Sequence, residues 1–230
     1  MDMVMKHFAP SRILGRLASN CSGIAMTEFA MSLPALCALC ITGVETASYV
    51  TANMRVSQIA LSVADNSGRI RDSIDETDVD AIMIGARIAG QSIGFAENGR
   101  VILSMVEVNG LTGANAGQQI TWQRCFGAKN VASSFGVEGA GRTNATYANG
   151  FGPADNRIRT TAGNGLMFVE VVYDYRAIFP VADEMINGLR GETMRFTAAF
   201  PVREREDNVL KNGFNLAAGE TRRCTQFSAT

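Results

Sequence analysis

Glu28 is the residue whose chemistry most needs a reason. It lies five positions beyond Gly23 and is the only charge between residues 24 and 44. About 20 residues rising 1.5 Å each cross a bilayer core of about 30 Å. A charge at the centre of such a span costs about 2.5–3.5 kcal/mol on insertion scales. Other reactive groups are few. The single histidine, His7, precedes Gly23, so the chain beyond it cannot build a Ser-His-Asp triad, a Cys-His pair or a His-bearing zinc site. Carboxylate-only or lysine-based chemistry stays open. Gly136-Val137-Glu138-Gly139-Ala140-Gly141-Arg142-Thr143 nearly spells a phosphate loop, with Arg142 where lysine belongs. That motif needs a helix after it, and no helical pattern follows Thr143, so a flexible loop is expected.

Two further clusters have bland readings that fit better. Asp75, Asp78 and Asp80 could face a calcium ion, but the run lacks the alternating oxygen ligands and central glycine of a calcium loop. Acids clustered before Ala81-Ile82-Met83-Ile84 mark a helix start instead. Cys37 and Cys40 have redox-motif spacing inside the apolar run, where that chemistry lacks both fold and access. They read as small packing residues. Net charge is −1. Residues 1–23 carry Lys6, Arg12 and Arg16 against Asp2, a net +2, so the chain beyond them falls from −1 to −3. No basic cluster gives nucleic acid an electrostatic footprint.

An ordinary secretory signal puts its apolar core before the cut. Here the small residue comes first, in Gly23-Ile24-Ala25-Met26-Thr27-Glu28-Phe29, and cleavage after Gly23 would leave the anchor on the mature chain. Lipidation at Cys21 fits poorly, because Asn20 precedes it and the apolar run follows it. Next come Ala30-Met31-Ser32-Leu33-Pro34, then Gly43-Val44-Glu45, then Arg55. Together these resemble the TadE/TadG family, the pilin-like pseudopilins of the tight-adherence pilus system. Those proteins have a Glu-Phe-Ala start, a Leu-Pro in the apolar run and a second Glu at its far end. Gly99-Arg100-Val101-Ile102-Leu103-Ser104, Trp122-Gln123-Arg124-Cys125, Phe168-Val169-Glu170-Val171, Tyr173-Asp174-Tyr175-Arg176 and Arg223-Cys224 resemble later blocks of TadE-like proteins. The resemblance leaves residues 127–165 unplaced.

The resemblance implies a leader at 1–23, cut by a prepilin peptidase between Gly23 and Ile24. It also implies a transmembrane segment at 24–44 and a pilin-like domain at 45–230, periplasmic or extracellular, with the N-terminus cytoplasmic. The positive charges before the span favour the same orientation. Glu28 and Phe29 would then serve subunit pairing in the membrane. The partners are the peptidase, other pilins or pseudopilins, pilus assembly proteins and the membrane, and no cofactor is called for. Cleavage would expose an α-amine on Ile24, positive at neutral pH, which Glu28 of a staggered neighbour could neutralise. An uncleaved anchor serving as a periplasmic adaptor fits the same residues. Of the five cysteines only Cys125 and Cys224 fall in the exported part, and an even pair in an oxidising compartment most simply forms one disulfide.

The elements that hold these residues follow from periodicity. One helix is expected over residues 25–65, apolar all round and then amphipathic through Tyr49, Ala52, Val56, Ile59, Ala60 and Val63. Pro34 falls inside it, and Asn66-Ser67-Gly68 ends it. A second helix is expected over 77–89. Strands are expected over 101–108, 119–126, 166–177 and 192–202, the first two as a hairpin about Asn109-Gly110, with a turn or short helix at 180–191. The fold class is α+β, a long helix packed on a four-stranded antiparallel sheet. Residues 127–165 form a long polar excursion between strands.

Overall fold

Helix α1 spans Ser22–Arg69, 48 residues running through Pro34 without a break. It dominates the computed structural model, which describes residues 22–179, 192–203 and 205–230. All but the last two residues of the leader expected at 1–23, and the turn expected at 180–191, lie outside those residues. Helix α1 outruns its expected end by a turn because Arg205, far along the chain, caps it. The Arg205 guanidinium donates to the carbonyls of Ser67 at 2.8 Å and Ile70 at 3.1 Å, supplying positive charge where the helix dipole is negative.

Past residue 50 one face of α1 is apolar at helical spacing. Ala52, Val56, Ile59, Ala60, Val63 and Ala64 are all buried. That face lies on a sheet of β2 (Gly99–Val108), β3 (Gln118–Phe126), β4 (Leu166–Asp174) and β5 (Thr193–Pro201), preceded in the chain by a short β1 (Asp72–Asp75). Every pairing in the sheet is antiparallel, in the order β3-β2-β4-β5. Strand alternation sends Val101, Leu103 and Met105 of β2, with Val169, Val171 and Tyr173 of β4, into the core under α1. The expected hairpin and alternation of faces are present.

Helix α2 (Glu76–Ala89) begins where its acids cluster. Asp75 caps it by accepting from the Thr77 amide at 3.0 Å, and Asp78 closes the box by accepting from the Asp75 amide at 2.9 Å. Asp80 pairs with Arg222 at 2.7 Å. All three carboxylates of the imagined calcium site are thus engaged as caps or ion pairs. A single short turn, α3 (Phe95–Asn98), follows. It sinks Phe95 between Gly90 and Gly99, where an added Cβ would come within 2.4 and 2.5 Å of that side chain.

Two features depart from expectation. A short β6 (Arg205–Lys211) pairs in parallel with β1, Ile74 opposite Leu210. No local pattern announces a four-residue strand whose partner lies so far away. The other departure corrects the expected flexible loop at 136–143. Ile120 donates to the Ala140 carbonyl at 2.9 Å and accepts from the Gly139 amide at 2.8 Å, so the segment is a loop, as expected, but one of turns pinned to the outer edge of β3. Gly141, at φ 80°, makes this approach possible, since a Cβ there would lie 2.2 Å from the Gln118 carbonyl. Among the described residues no helix follows Thr143. The rest of the excursion packs Phe135, Tyr147 and Phe151 onto Phe168 of β4, with ring centroids 4.8–6.0 Å apart. This second cluster covers the sheet face opposite α1, which is why β2 and β4 are buried on both faces.

Cys125 and Cys224 form a disulfide across a sequence separation of 99, while Cys37 and Cys40 are free and exposed on α1. A loop of that length limits the unfolded chain by up to about 4.7 kcal/mol in the chain-entropy model. The double variant Cys125→Ser with Cys224→Ser should lower stability by a few kcal/mol, and thiol reduction of the parent should match it. Denaturant titration with non-reducing peptide mapping checks both. Recovery of Cys125 as a free thiol from exported protein would contradict the bond.

Candidate functional site

The site begins on the N-terminal half of α1. Its apolar window is 0% buried, and Ile24, Met26, Phe29, Met31 and Leu39 are all exposed. This is one helix long and apolar enough to cross a membrane. Its hydroxyls need nothing from outside, because they donate back to helix carbonyls. Thr27 reaches Ile24 at 2.8 Å, Ser32 reaches Phe29 at 3.0 Å and Thr42 reaches Ala38 at 2.9 Å. A segment in lipid must satisfy its polar groups in this internal way. Glu28 is the exception: it is exposed and meets no partner among the described residues.

Gly23 and Ile24 lie in the first turn of α1, where backbone N–H groups lack intrahelical partners. Open space surrounds the Gly23 α-carbon. Ile24 and Glu28, four residues apart, share a helix face, and Phe29 adjoins them. The four expected site residues of the apolar half therefore occupy one turn and a half of helix, while Cys125 and Cys224 lie far away in the domain.

Sequence reasoning missed what happens where the apolar half ends. Glu45 is 0% exposed. Its carboxylate accepts from the Tyr175 hydroxyl at 2.6 Å, the Ile178 amide at 3.1 Å and the Phe179 amide at 3.2 Å. The Tyr49 ring meets the Tyr175 ring edge-on, with centroids 5.2 Å apart. Burial, and then the bond to Glu45, push the Tyr175 hydroxyl above its ordinary value of 10.0. Each donor left dry by removal of the carboxylate would cost about 1–3 kcal/mol. Tyr175 and Glu45 are 130 residues apart, so the only signal in the sequence was a charge just past an apolar run.

A second dry carboxylate braces the opposite sheet face. Glu170 on β4 accepts from Ser133 at 2.8 Å and from the Ser134 amide at 3.0 Å, and pairs with Arg195 of β5. Glu76 of α2 takes Arg124 of β3 at 2.5 Å, and Glu138 meets the same guanidinium at 3.3 Å. These pairs tie helix, sheet and excursion together.

A tyrosine whose folded-state pKa is raised adds stability that is full below its unfolded value and is lost as pH rises through the folded one. Stability should therefore fall as pH climbs beyond about 10. Tyr175→Phe should cost about 1–3 kcal/mol at neutral pH and flatten that alkaline fall. Denaturant titrations at neutral and alkaline pH measure both, and an unchanged alkaline slope would contradict the assignment.

The chain matches no protein-family model, no curated protein and no solved structure. Its function is therefore argued from the arrangement of its own residues.

Proposed function

We propose that this chain is a non-enzymatic pseudopilin or minor pilin acting in assembly of a tight-adherence type IV pilus. The carrying observation is one helix of two characters. Its first half is apolar and unburied all round, and its second half is the spine of the folded domain. A subunit that must stand in a bilayer and then enter a filament needs both halves on one rigid element. In this reading a prepilin peptidase removes residues 1–23, and residues 24–44 hold the chain in the inner membrane with its N-terminus cytoplasmic. The domain from residue 45 onward then faces the periplasm or joins the pilus. The partners are other pilins or pseudopilins and the assembly proteins of the inner membrane. A disulfide in the domain suits an oxidising compartment.

One observation favours a second reading, the uncleaved periplasmic adaptor. Helix α1 already includes Ser22 and Gly23, so a peptidase must unwind a formed turn to reach the bond. Intact mass and N-terminal sequencing of protein from its own host separate the two readings. The pilin reading expects a chain beginning at Ile24, and Gly23→Leu should block processing, because the peptidase must fit a residue without a side chain. A chain beginning at Met1 in a piliated host would overturn it.

Glu28 provides the second test. Glu28→Val should leave insertion intact, since it removes a charge from an apolar span. Processing should survive too, as the altered residue lies beyond the cut. Assembly should fail, because the Ile24 ammonium of a neighbour would enter lipid unpaired. Surface pili counted beside an expression control measure this. Normal piliation at normal protein level would remove the argument, whereas the adaptor reading expects no loss.

A further inference from the structure

On the sheet face away from α1, a half-open cavity of about 450 Å³ lies between β3, the start of the excursion and the C-terminal tail. Small-molecule sites run from about 300 to 1,000 Å³. Ile102, Val131, Val137 and Phe227 give it a largely apolar wall, and the Cys125–Cys224 disulfide closes one side.

The one carboxylate on the wall, Glu138, faces Arg124 and leaves a second, buried guanidinium without a counter-charge. Arg100 is 1% exposed, and among the described residues it pairs with no carboxylate. Its Nη1 donates to the carbonyls of Gly127 and Gln226, each at 2.8 Å, and its Nη2 to the Cys224 carbonyl at 2.7 Å. The Phe227 ring lies 4.2 Å from the guanidinium. The Nε–H, closed off from water, has no acceptor among the described residues. Burial lowers Arg100 to about 10, still well above neutral pH, so the cation persists. Carbonyl dipoles solvate such a charge without cancelling it, and a buried charge without a counter-charge is costly. Arg223, also on the wall, is exposed and forms no ion pair among the described residues. Arg124 is already engaged by Glu76 and Glu138. Two of the three arginines around the cavity thus await negative charge.

We propose that this cavity binds a small organic acid, with its carboxylate on Arg100 and Arg223 and its apolar body against Ile102, Val131 and Val137. The single spare buried donor of Arg100 suits one carboxylate oxygen, and the apolar residues beside it suit the hydrocarbon body of an organic acid better than the further charged oxygens of a phosphate. Because the Nε is closed off, this binding requires the exposed Phe227 ring, 4.2 Å from the guanidinium, to shift. The site is independent of whether the chain is a pseudopilin, since none of its residues lies on α1.

The test uses the full chain in detergent, titrated with phenylacetate, phenylbutyrate and octanoate and with their neutral amides, read by ligand-observed NMR against empty micelles. At least one acid should bind at millimolar concentration or below. Its amide should bind about tenfold more weakly or worse, the loss expected for one charge-assisted hydrogen bond. Val137→Trp, at a position 60% exposed, should fill the cavity and abolish binding. Arg223→Ala should weaken it several-fold, with circular dichroism and the disulfide unchanged in both variants. No binding by any of the three acids, equal binding of acid and amide, or binding indifferent to Val137→Trp would each overturn the proposal.

Discussion

Glu45 holds a carboxylate where no water reaches it, and three donors from the far end of the chain converge on it. The apolar face of α1 beyond it is built from Ala52, Val56, Ile59, Ala60, Val63 and Ala64, mostly small residues repeating at helical spacing. Hydrophobic contact is non-directional, and a face this smooth could slide by a turn, about 5.4 Å, with little loss of buried area. A carboxylate that must meet the Tyr175 hydroxyl and two particular amides allows no such slide. Glu45 thus fixes both the rotation and the axial position of α1 on β4 and β5. The Phe95 pocket, where Ile59 of α1 approaches Gly90, and the Arg205 cap on Ser67 both meet α1 in that register.

The opposite face meets the same demand differently. Burying β2 and β4 on both sides needs a second layer, and a glycine-rich excursion supplies it without a helix or a regular sheet. Such a layer has few apolar residues to spare, so polar ties do much of the fastening. Glu170 gathers Ser133, Ser134 and Arg195, Glu138 reaches Arg124, and Arg100 holds the tail through the Cys224 and Gln226 carbonyls and the excursion through that of Gly127. Breaking a buried pair by removing one partner costs about 3–5 kcal/mol, far more than an exposed pair contributes. The excursion is held at a few costly points, and the cavity with its uncompensated arginine remains where those points leave a gap.

Local signals read well from the sequence and distant ones did not. The long helix, the acid-rich start of α2, the hairpin and the alternation along β4 and β5 each follow from a period or a turn carried within about ten residues. The disulfide was legible because only two cysteines lie beyond the apolar run. By contrast Glu45 looked like a marker of where a span ends, because its partners are 130 or more residues away. The β1–β6 pair was invisible for the same reason. The excursion misled because glycine-rich composition reads as flexibility. Here the glycines serve close approach, as Gly141 does against Gln118, and three aromatic rings scattered through polar sequence find one another and Phe168 of β4 only in three dimensions.

The polar groups of α1 also bear on how the domain would sit on a membrane. Through residue 44 the hydroxyls of Thr27, Ser32 and Thr42 donate to the helix itself, leaving Glu28 as the side chain that lipid would penalise. Glu45 then withdraws from solvent into the domain at the first position past the span. A carboxylate at that height would otherwise face headgroups, free to move with the interface. On the membrane-spanning reading, its enclosure by Tyr175, Ile178 and Phe179 would make the bilayer boundary and the start of the folded domain the same point on the helix. Ile178 and Phe179, which donate their amides to Glu45, leave their side chains 57% and 36% exposed. On the membrane-spanning reading those two apolar side chains stand at the interface beside α1. The clamp that orients the helix inside the domain would then also seat the domain against the membrane, with no linker between anchor and fold.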